Sequence, residues 1–257
     1  MISKYRFEKI FRFLTFPPLF FLTILKLTRN KLLKKPIETD VMLNIKPLCR
    51  KYSIKPLGLI HVGAHVGQEL GIYREMGFKN ILCIEPNPPV FEKLKKNITN
   101  EMPNAKAVNC AVSNTNGETK LYVTSLSPSS SILPLKEHKR IYPSIVESGQ
   151  ITVQCRTLDK LLEEQQLDPS DFNFITIDIQ GAELMAFQGS INTLKHIEGI
   201  NVEVNYKELY EGGAMIEQID EFLAKEGFKR VATLTAVHPS WGDAFYVKKK
   251  TNPSTKK

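Results

Sequence analysis

The chain has 257 residues, 42% of them hydrophobic and 24% charged, an ordinary make-up for a globular protein of one large or two small domains. Its net charge of +8 is local: residues 1–35 hold nine Lys/Arg against one Glu, while the other 222 residues hold 26 of each sign. The body therefore has no net basic field to draw a nucleic-acid backbone, and its four cysteines (Cys49, Cys83, Cys110, Cys155) form no C-x-x-C pair or zinc-type cluster and read as buried thiols of a reducing compartment.

The first 35 residues form an arm. Phe13–Leu25 is thirteen uncharged, mostly apolar residues with basic residues on both sides. A spanning helix needs about 20 apolar residues, and Pro17-Pro18 would break one here. No A-x-A cleavage site follows. The arm is predicted to lie on an anionic membrane surface, at the cytoplasmic face; the plainer alternative is an aromatic arm packed on the globule or a partner. The body is expected over 36–248 and a polar tail over 249–257.

Thr39 or Asp40 can cap a helix running to about Tyr52. Leu59–Val62 is short and apolar with β-branched residues, a buried strand. Gly63–Gly67 is a tight turn, Gln68–Met76 a helix, and Gly77 its left-handed stop. Ile81–Ile84 is a second strand, closed by Glu85. Asn87 then caps a helix with Pro88 at its first position. Ala105–Val112 is the third strand, with Asn116-Gly117 as a hairpin signal before Lys120–Val123. Residues 124–150, rich in Ser and Pro, read as a lid or binding loop, or as a plain surface loop. Ile151–Cys155 alternates like a strand, and Thr157 caps a helix to about Gln165. Phe172–Asp178 is an apolar strand ending in a carboxylate, Ala182–Gln188 a helix, and Gly199–Val204 a strand with Glu203 near its end. Met215–Leu223 is a helix that Gly227 stops. Phe228–Leu234 and Ala244–Lys248 close the chain as an antiparallel pair. Strands alternating with helices predict an α/β fold, a largely parallel sheet with helices on both faces.

The stretch Leu59–Asn87 carries the first chemistry. Glycines after a strand let a ligand approach the backbone, and a carboxylate closing the next strand can accept hydrogen bonds from both ribose hydroxyls of a nucleoside. Glu85 lies 22 residues after Gly63, near the usual interval of about 20. His65 stands where a dinucleotide fingerprint needs its second glycine, so a pyrophosphate would be crowded. S-adenosylmethionine has a nucleoside and no phosphates, and G-x-x-x-G suits it better.

Ile60-His-Val-Gly-Ala-His-Val-Gly67, Cys83-Ile-Glu-Pro-Asn-Pro88, Thr157-Leu-Asp159, Ile177-Asp-Ile-Gln-Gly-Ala-Glu183 and Val202-Glu203, in that order, resemble the FkbM family of S-adenosylmethionine-dependent methyltransferases. The resemblance implies a Rossmann-like class I methyltransferase fold, with a seven-stranded, mostly parallel sheet whose last strand is inserted antiparallel. It implies O-methylation of a hydroxyl, commonly on a sugar, glycan or natural product. By the same resemblance Gly63, Ala64, His65 and Gly67 would wrap the methionine part of the cofactor. Glu85, with Pro86 and Asn87 beside it, would hold the ribose. Cys110, Ala111 and Val112, within Asn109–Ser113, would flank the adenine, and Asp178 would face the methyl group and the acceptor. The residue opening the first motif, at the cofactor ammonium, is usually Asp and is His61 here. The family's frequent acidic residue after the strand-four Asp is Gln180 here, which removes one candidate base.

A sugar hydroxyl is a poor nucleophile, so a general base is expected. Asp178 is the first candidate and Glu203 the second; each could instead be a cap or a structural carboxylate, and a divalent metal at the two stays open. His138, in the Ser-rich segment, titrates near neutral pH and is a third candidate, though a solvated loop histidine is the plainer reading. Asp243 reads as a cap of the final hairpin. Trp241 reads as a sugar-stacking face or a hydrophobic plug. The acceptor is expected to be a small molecule, glycan or lipid-linked sugar. The rival functions are a catalytically silent membrane scaffold, a nicotinamide oxidoreductase, opposed by His65, and a nucleic-acid methyltransferase, opposed by the neutral body.

Overall fold

The computed structural model describes residues 42–249. The chain divides into Met1–Met42 and Leu43–Lys257, and the second unit is described below. The arm, the cap candidates Thr39 and Asp40, and the tail after Lys249 lie outside the described residues. No helix among the described residues is long and apolar enough to cross a membrane.

The chain runs α1 (Ile45–Lys51), β1 (Gly58–Val62), α2 (Leu70–Met76), β2 (Asn80–Ile84), α3 (Pro88–Glu101) and β3 (Lys106–Val108). β4 (Ala111–Val112), β5 (Gly117–Thr124), the short α4 (His138–Ile141) and β6 (Glu147–Arg156) follow. The remainder is α5 (Leu158–Glu164), β7 (Phe174–Ile177), α6 (Glu183–Gln188), α7 (Ile191–Leu194), β8 (Gly199–Asn205), α8 (Ile216–Lys225), β9 (Phe228–Leu234) and β10 (Trp241–Lys248).

Seven strands form one sheet in the order β3-β2-β1-β7-β8-β10-β9. The first five run parallel, and β10 lies antiparallel between β8 and β9. This is the seven-stranded arrangement with an inserted antiparallel last strand that the family resemblance implies. The chain steps outward from β1 through β2 to β3, then returns to pair β7 on the other side of β1. That reversal is the topological switch point, where ligands bind outside the carboxyl ends of the strands.

Both faces of the sheet are covered, which explains why β1 and β7 are buried throughout and mostly apolar. Leu59, Phe174, Phe245 and Cys83 pack with α1, α2 and α3 on one face, through Cys49, Tyr73 and Leu94. Ile60, Ile175, Val202 and Tyr246 pack with α5, α6, α7 and α8 on the other, through Leu161, Phe187, Leu194 and Leu223. Each fully buried Leu, Ile or Phe side chain contributes roughly 1.5–3 kcal/mol. The helix punctuation follows the sequence: Gly77 takes φ +85 and returns its N–H to Tyr73 and Arg74, and Thr157 caps α5 by accepting from the Lys160 N–H.

Several expectations are corrected. The α1 cap is Asn44, whose side chain accepts from the Lys46 N–H. The expected third strand is interrupted: β3 belongs to the large sheet, while β4 joins a separate three-stranded sheet in the order β4-β6-β5. Asn116-Gly117 is therefore not a hairpin turn, because the ten-residue β6 pairs with both flanking strands and separates them. Residues 124–150 are not plain loop: they hold a 3-10 turn at Ser127–Ser129, α4, and bridges from Ser131 to Tyr122 and from Leu135 to Tyr210. The helix α7 has no counterpart in the sequence reading; Asp159 holds it from α5 by accepting the Asn192 and Thr193 N–H groups at 2.9 and 2.8 Å. Asp243, read as a cap of the final hairpin, does not stand in its turn. It lies within β10 and accepts the Leu43 N–H at 2.9 Å.

Candidate active site

Two turns meet at the switch point. The first follows β1. The N–H groups of Gly63 and Ala64 both reach the Ile84 carbonyl, at 2.9 and 3.0 Å, so the turn is tied to β2 from its first residue. Gly63, His65 and Gly67 have φ of +80, +48 and +81. Gly63 has a further constraint: a Cβ there would lie 2.0 Å from the Asp178 carbonyl oxygen, so only glycine lets the ends of β1 and β7 come this close. His65, by contrast, holds its left-handed backbone with its side chain. Its ring nitrogens meet Gln68 Nε2 at 2.8 Å and Ser127 Oγ at 2.9 Å, which fastens the turn to the Ser-rich segment.

Glu85 closes β2 beside this turn. Its Oε2 accepts the His65 N–H and its Oε1 the Asn87 N–H, both at 2.9 Å. Burial pushes the carboxyl up to about 7, partly offset by those two N–H groups and reinforced by the negative charge of Asp178. Each oxygen of the carboxylate keeps a further acceptor position. Asn87 is buried and opens α3, and the half-buried Pro86 offers its carbonyl to Asn109 Nδ2, which also reaches the Glu85 carbonyl. Cys110, Ala111 and Val112 are only 3–4% exposed, with side chains in the core. The exposed polar group of that stretch is the Asn109 amide beside Glu85.

The second turn follows β7. Ile177 pairs with Val202 of β8, so the next residues, Asp178 and Glu203, stand on neighbouring strands, and Glu203 in turn pairs with Asp243 of β10. Glu85 follows Ile84, the partner of Val62, and so extends the same row past Gly63. Acidic side chains thus line the carboxyl end of the sheet on one face. One step below them the buried His61, Thr176 and Asn201 are register partners, and His61 Nδ1 lies 3.2 Å from the Tyr73 hydroxyl.

Gln180 fills the gap above this row. Its Nε2 donates to Asp178 Oδ1 at 2.7 Å and also to Glu203 Oε2, and its Oε1 accepts from the Tyr210 hydroxyl. Its backbone has φ +60, a conformation that costs a non-glycine residue roughly 1–2 kcal/mol. Glu183 holds the turn in that shape: fully buried, it accepts the Ile179 N–H at 3.0 Å and the Gly181 N–H at 3.0 and 3.1 Å. Desolvation raises its carboxyl to about 7. Ser131 Oγ donates to the Gln180 carbonyl at 2.8 Å from the Ser-rich segment.

His138 is not a solvated loop histidine. It is 4% exposed, with ring centroids of Tyr142 and Tyr210 at 5.0 and 5.5 Å, because α4 folds back onto the segment that bears Tyr210. Tyr210 lies between it and the Asp178 turn, bonded to Gln180. Trp241 is half-buried against Leu135, Leu209 and Tyr210 and donates its indole N–H to the Tyr142 hydroxyl at 3.0 Å. Sequence reasoning missed Tyr210, Ser127 and Ser131, whose roles depend on contacts distant in the chain. Glu183 had a signal: a carboxylate two residues after a turn glycine. Among the described residues no group of three or more His, Cys, Asp or Glu is arranged to hold a metal ion.

Comparisons with known proteins assign the sequence to an enzyme class. The chain is 26% identical over 173 residues to 2-O-methyltransferase NoeI of Sinorhizobium fredii, covering 64% of this chain and 70% of that one. It is 25% identical over 193 residues to methyltransferase sdnD of Sordaria araneosa, covering 66% and 73%. Similar solved structures include magnesium protoporphyrin IX methyltransferase of Synechocystis with bound S-adenosylmethionine, at TM-score 0.46, 8% identity and coverage of 80% and 76%. The ribosomal protein L11 methylase of Lactobacillus delbrueckii is another, at TM-score 0.41, 12% identity and coverage of 80% and 77%. The Methyltransferase FkbM domain matches residues 61–230, a span that opens within β1, takes in the turn after it, Glu85 and the Asp178–Glu203 pair, and closes in β9, so the chain belongs to the FkbM family of S-adenosylmethionine-dependent methyltransferases.

Proposed function

We propose that this methyltransferase acts on a hydroxyl oxygen of a sugar, glycan or lipid-linked acceptor. The observation that carries the reading is the pair Asp178 and Glu203, side by side at the mouth of β7 and β8 and joined through Gln180. A hydroxyl needs its proton removed as it attacks, and a carboxylate at the cleft end of a central strand is suited to that. The similarity to a protein named a 2-O-methyltransferase supports an oxygen acceptor. Trp241, on the same sheet face beyond Asp243, supports a carbohydrate, since indole faces stack on sugar rings.

The residues present fit the cofactor. Gly63 brings a backbone turn without a side chain beside Glu85, which keeps one acceptor position per oxygen for two ribose hydroxyls. S-adenosylmethionine supplies, when bound, an electrophilic methyl carbon on a cationic sulfur. Glu85, Asp178 and Glu203 surround that end of the sheet with negative charge, which favours a cation. Asp178 receives the proton that the acceptor hydroxyl gives up. Glu203 orients the hydroxyl, and alignment of oxygen with the methyl carbon supplies much of the rate. The arm over residues 1–35, with a charge of +8 beside a neutral body, supports a reading in which this chemistry is brought to an anionic lipid surface.

The test is incubation of the purified protein with labelled S-adenosylmethionine and oligosaccharide, lipid-linked glycan and simple alcohol acceptors, with mass spectrometry of the products. A methyl ether on a ring hydroxyl is expected, formed about 10²–10⁴ times more slowly by Asp178→Asn. A methyl group found on nitrogen or on a carboxylate would refute the hydroxyl reading.

A further inference from the structure

We propose that Gln180 is a positioning residue that keeps Asp178 and Glu203 together as an ionised pair, and that Tyr210 aims its amide for the task. Asp178 and Glu203 follow a registered pair on adjacent parallel strands, Ile177 and Val202. Neighbouring strands lie about 4.8 Å apart, and two carboxylates at that spacing repel until one takes up a proton. A pair holding a proton is a poorer acceptor for another.

The neighbouring carboxylates add to this repulsion. The charges of Asp178 and Glu85 oppose each other across the Gly63 turn, as do those of Asp178 and the buried Glu183. Asp243 is the register partner of Glu203 on its other side. His138 lies beyond Tyr210, ring against ring at 5.5 Å.

The Gln180 amide answers the repulsion without adding charge. One of its N–H bonds points to Asp178 Oδ1 and the other to Glu203 Oε2. Hydrogen bonds to the charged form favour that form. The orientation of the amide follows from Tyr210, whose hydroxyl lies within reach of two acceptors, Gln180 Oε1 and the Ser129 carbonyl. A reversed amide would turn its oxygen on two carboxylates. The backbone supports the same assignment: Gln180 is held at φ +60 by Glu183 from one side and Ser131 from the other, so the amide is in place before any ligand arrives. A Glu at this position would add a third negative charge and remove both donors.

The consequence for catalysis rests on the reading of Asp178 and Glu203 as the acceptor-side carboxylates. The ionisation of the pair does not, and it is measured without any acceptor. The experiment is a carbon-13 NMR titration of Asp and Glu side-chain carboxyls in the full-length protein, from about pH 4 to 8, with resonances assigned through Asp178→Asn and Glu203→Gln. In Gln180→Leu the midpoint of one member of the pair should rise by about one pH unit or more, and in Gln180→Glu by more than that. Tyr210→Phe, which keeps the ring, should move the same midpoint in the same direction by less, and it carries the comparison if Gln180→Leu fails to fold. Unchanged midpoints in these variants would overturn the proposal. So would variants that melt early while titrating like the parent, because Gln180 would then serve the turn alone. A failure to find any hydroxyl acceptor would leave the titration result standing and count only against the proposed function.

Discussion

Glu85→Gln removes one charge and almost no volume from the cofactor side of the cleft. In the parent, each carboxylate oxygen accepts one backbone N–H at 2.9 Å and retains one position for a ribose hydroxyl. The amide of the variant can do this on its oxygen only; its NH2 group faces a backbone N–H. One hydrogen bond to a charged group is lost from the complex, about 1.5–3 kcal/mol, which is about 10–150-fold in affinity. The parent should also show a pH dependence that the variant lacks. Its carboxyl is raised to about 7 by burial, and the ribose hydroxyls favour the ionised form. Cofactor affinity should therefore be full above that value and fall by about tenfold per pH unit below it. Titration calorimetry with S-adenosylmethionine at pH values on either side of 7 reads both effects. A variant that binds within twofold of the parent above pH 7, or that keeps the slope of the parent below it, would refute the assignment of Glu85 to the ribose.

Gly63→Ala and Gly77→Ala separate steric from conformational strain, since both positions have φ near +80 but only Gly63 has a backbone oxygen where the Cβ would go. Gly77→Ala should cost about 1 kcal/mol in urea unfolding and Gly63→Ala at least about 2 kcal/mol; equal losses would mean that β1 and β7 separate freely. Glu183 has its carboxyl raised from 4.5 to about 7. Below 4.5 both folded and unfolded states hold the proton; between 4.5 and 7 the unfolded state releases it first, so stability should fall by up to about 3 kcal/mol as the pH rises through that window, and Glu183→Gln should flatten the fall. Removing residues 1–35 should abolish flotation with anionic liposomes and leave cofactor affinity intact; a truncated body that still floats would end the anchor reading.

The parts legible in the sequence were those with local causes. A buried strand, a glycine turn and a closing carboxylate lie within Leu59–Asn87, and each has a short-range signature, as do the stop at Gly77 and the cap at Thr157. What was not legible depended on partners distant in the chain. Ile151–Cys155 alternates like a strand, but nothing local says that β6 will divide β4 from β5. His138 is polar and sits among serines, and only the return of α4 onto Tyr210 buries it. Gln180 was read as the loss of a base, because its meaning comes from Glu203 on the next strand and Tyr210 beyond it. Register sets the first of these contacts and loop packing the second, and neither has a sequence period.

The Ser-rich segment meets both turns of the site, by Ser127 at the ring of His65 and by Ser131 at the carbonyl of Gln180. One contact lies on the cofactor turn and the other on the turn that presents Asp178. Any ligand that stiffens the first turn therefore also steadies the segment, and the coupling is reciprocal. Lys136, Lys139 and Arg140 lie exposed within that segment and offer trypsin its sites. Cleavage there should slow when S-adenosylmethionine binds, although the cuts are made far along the chain from Gly63, and His65→Ala should uncouple the two.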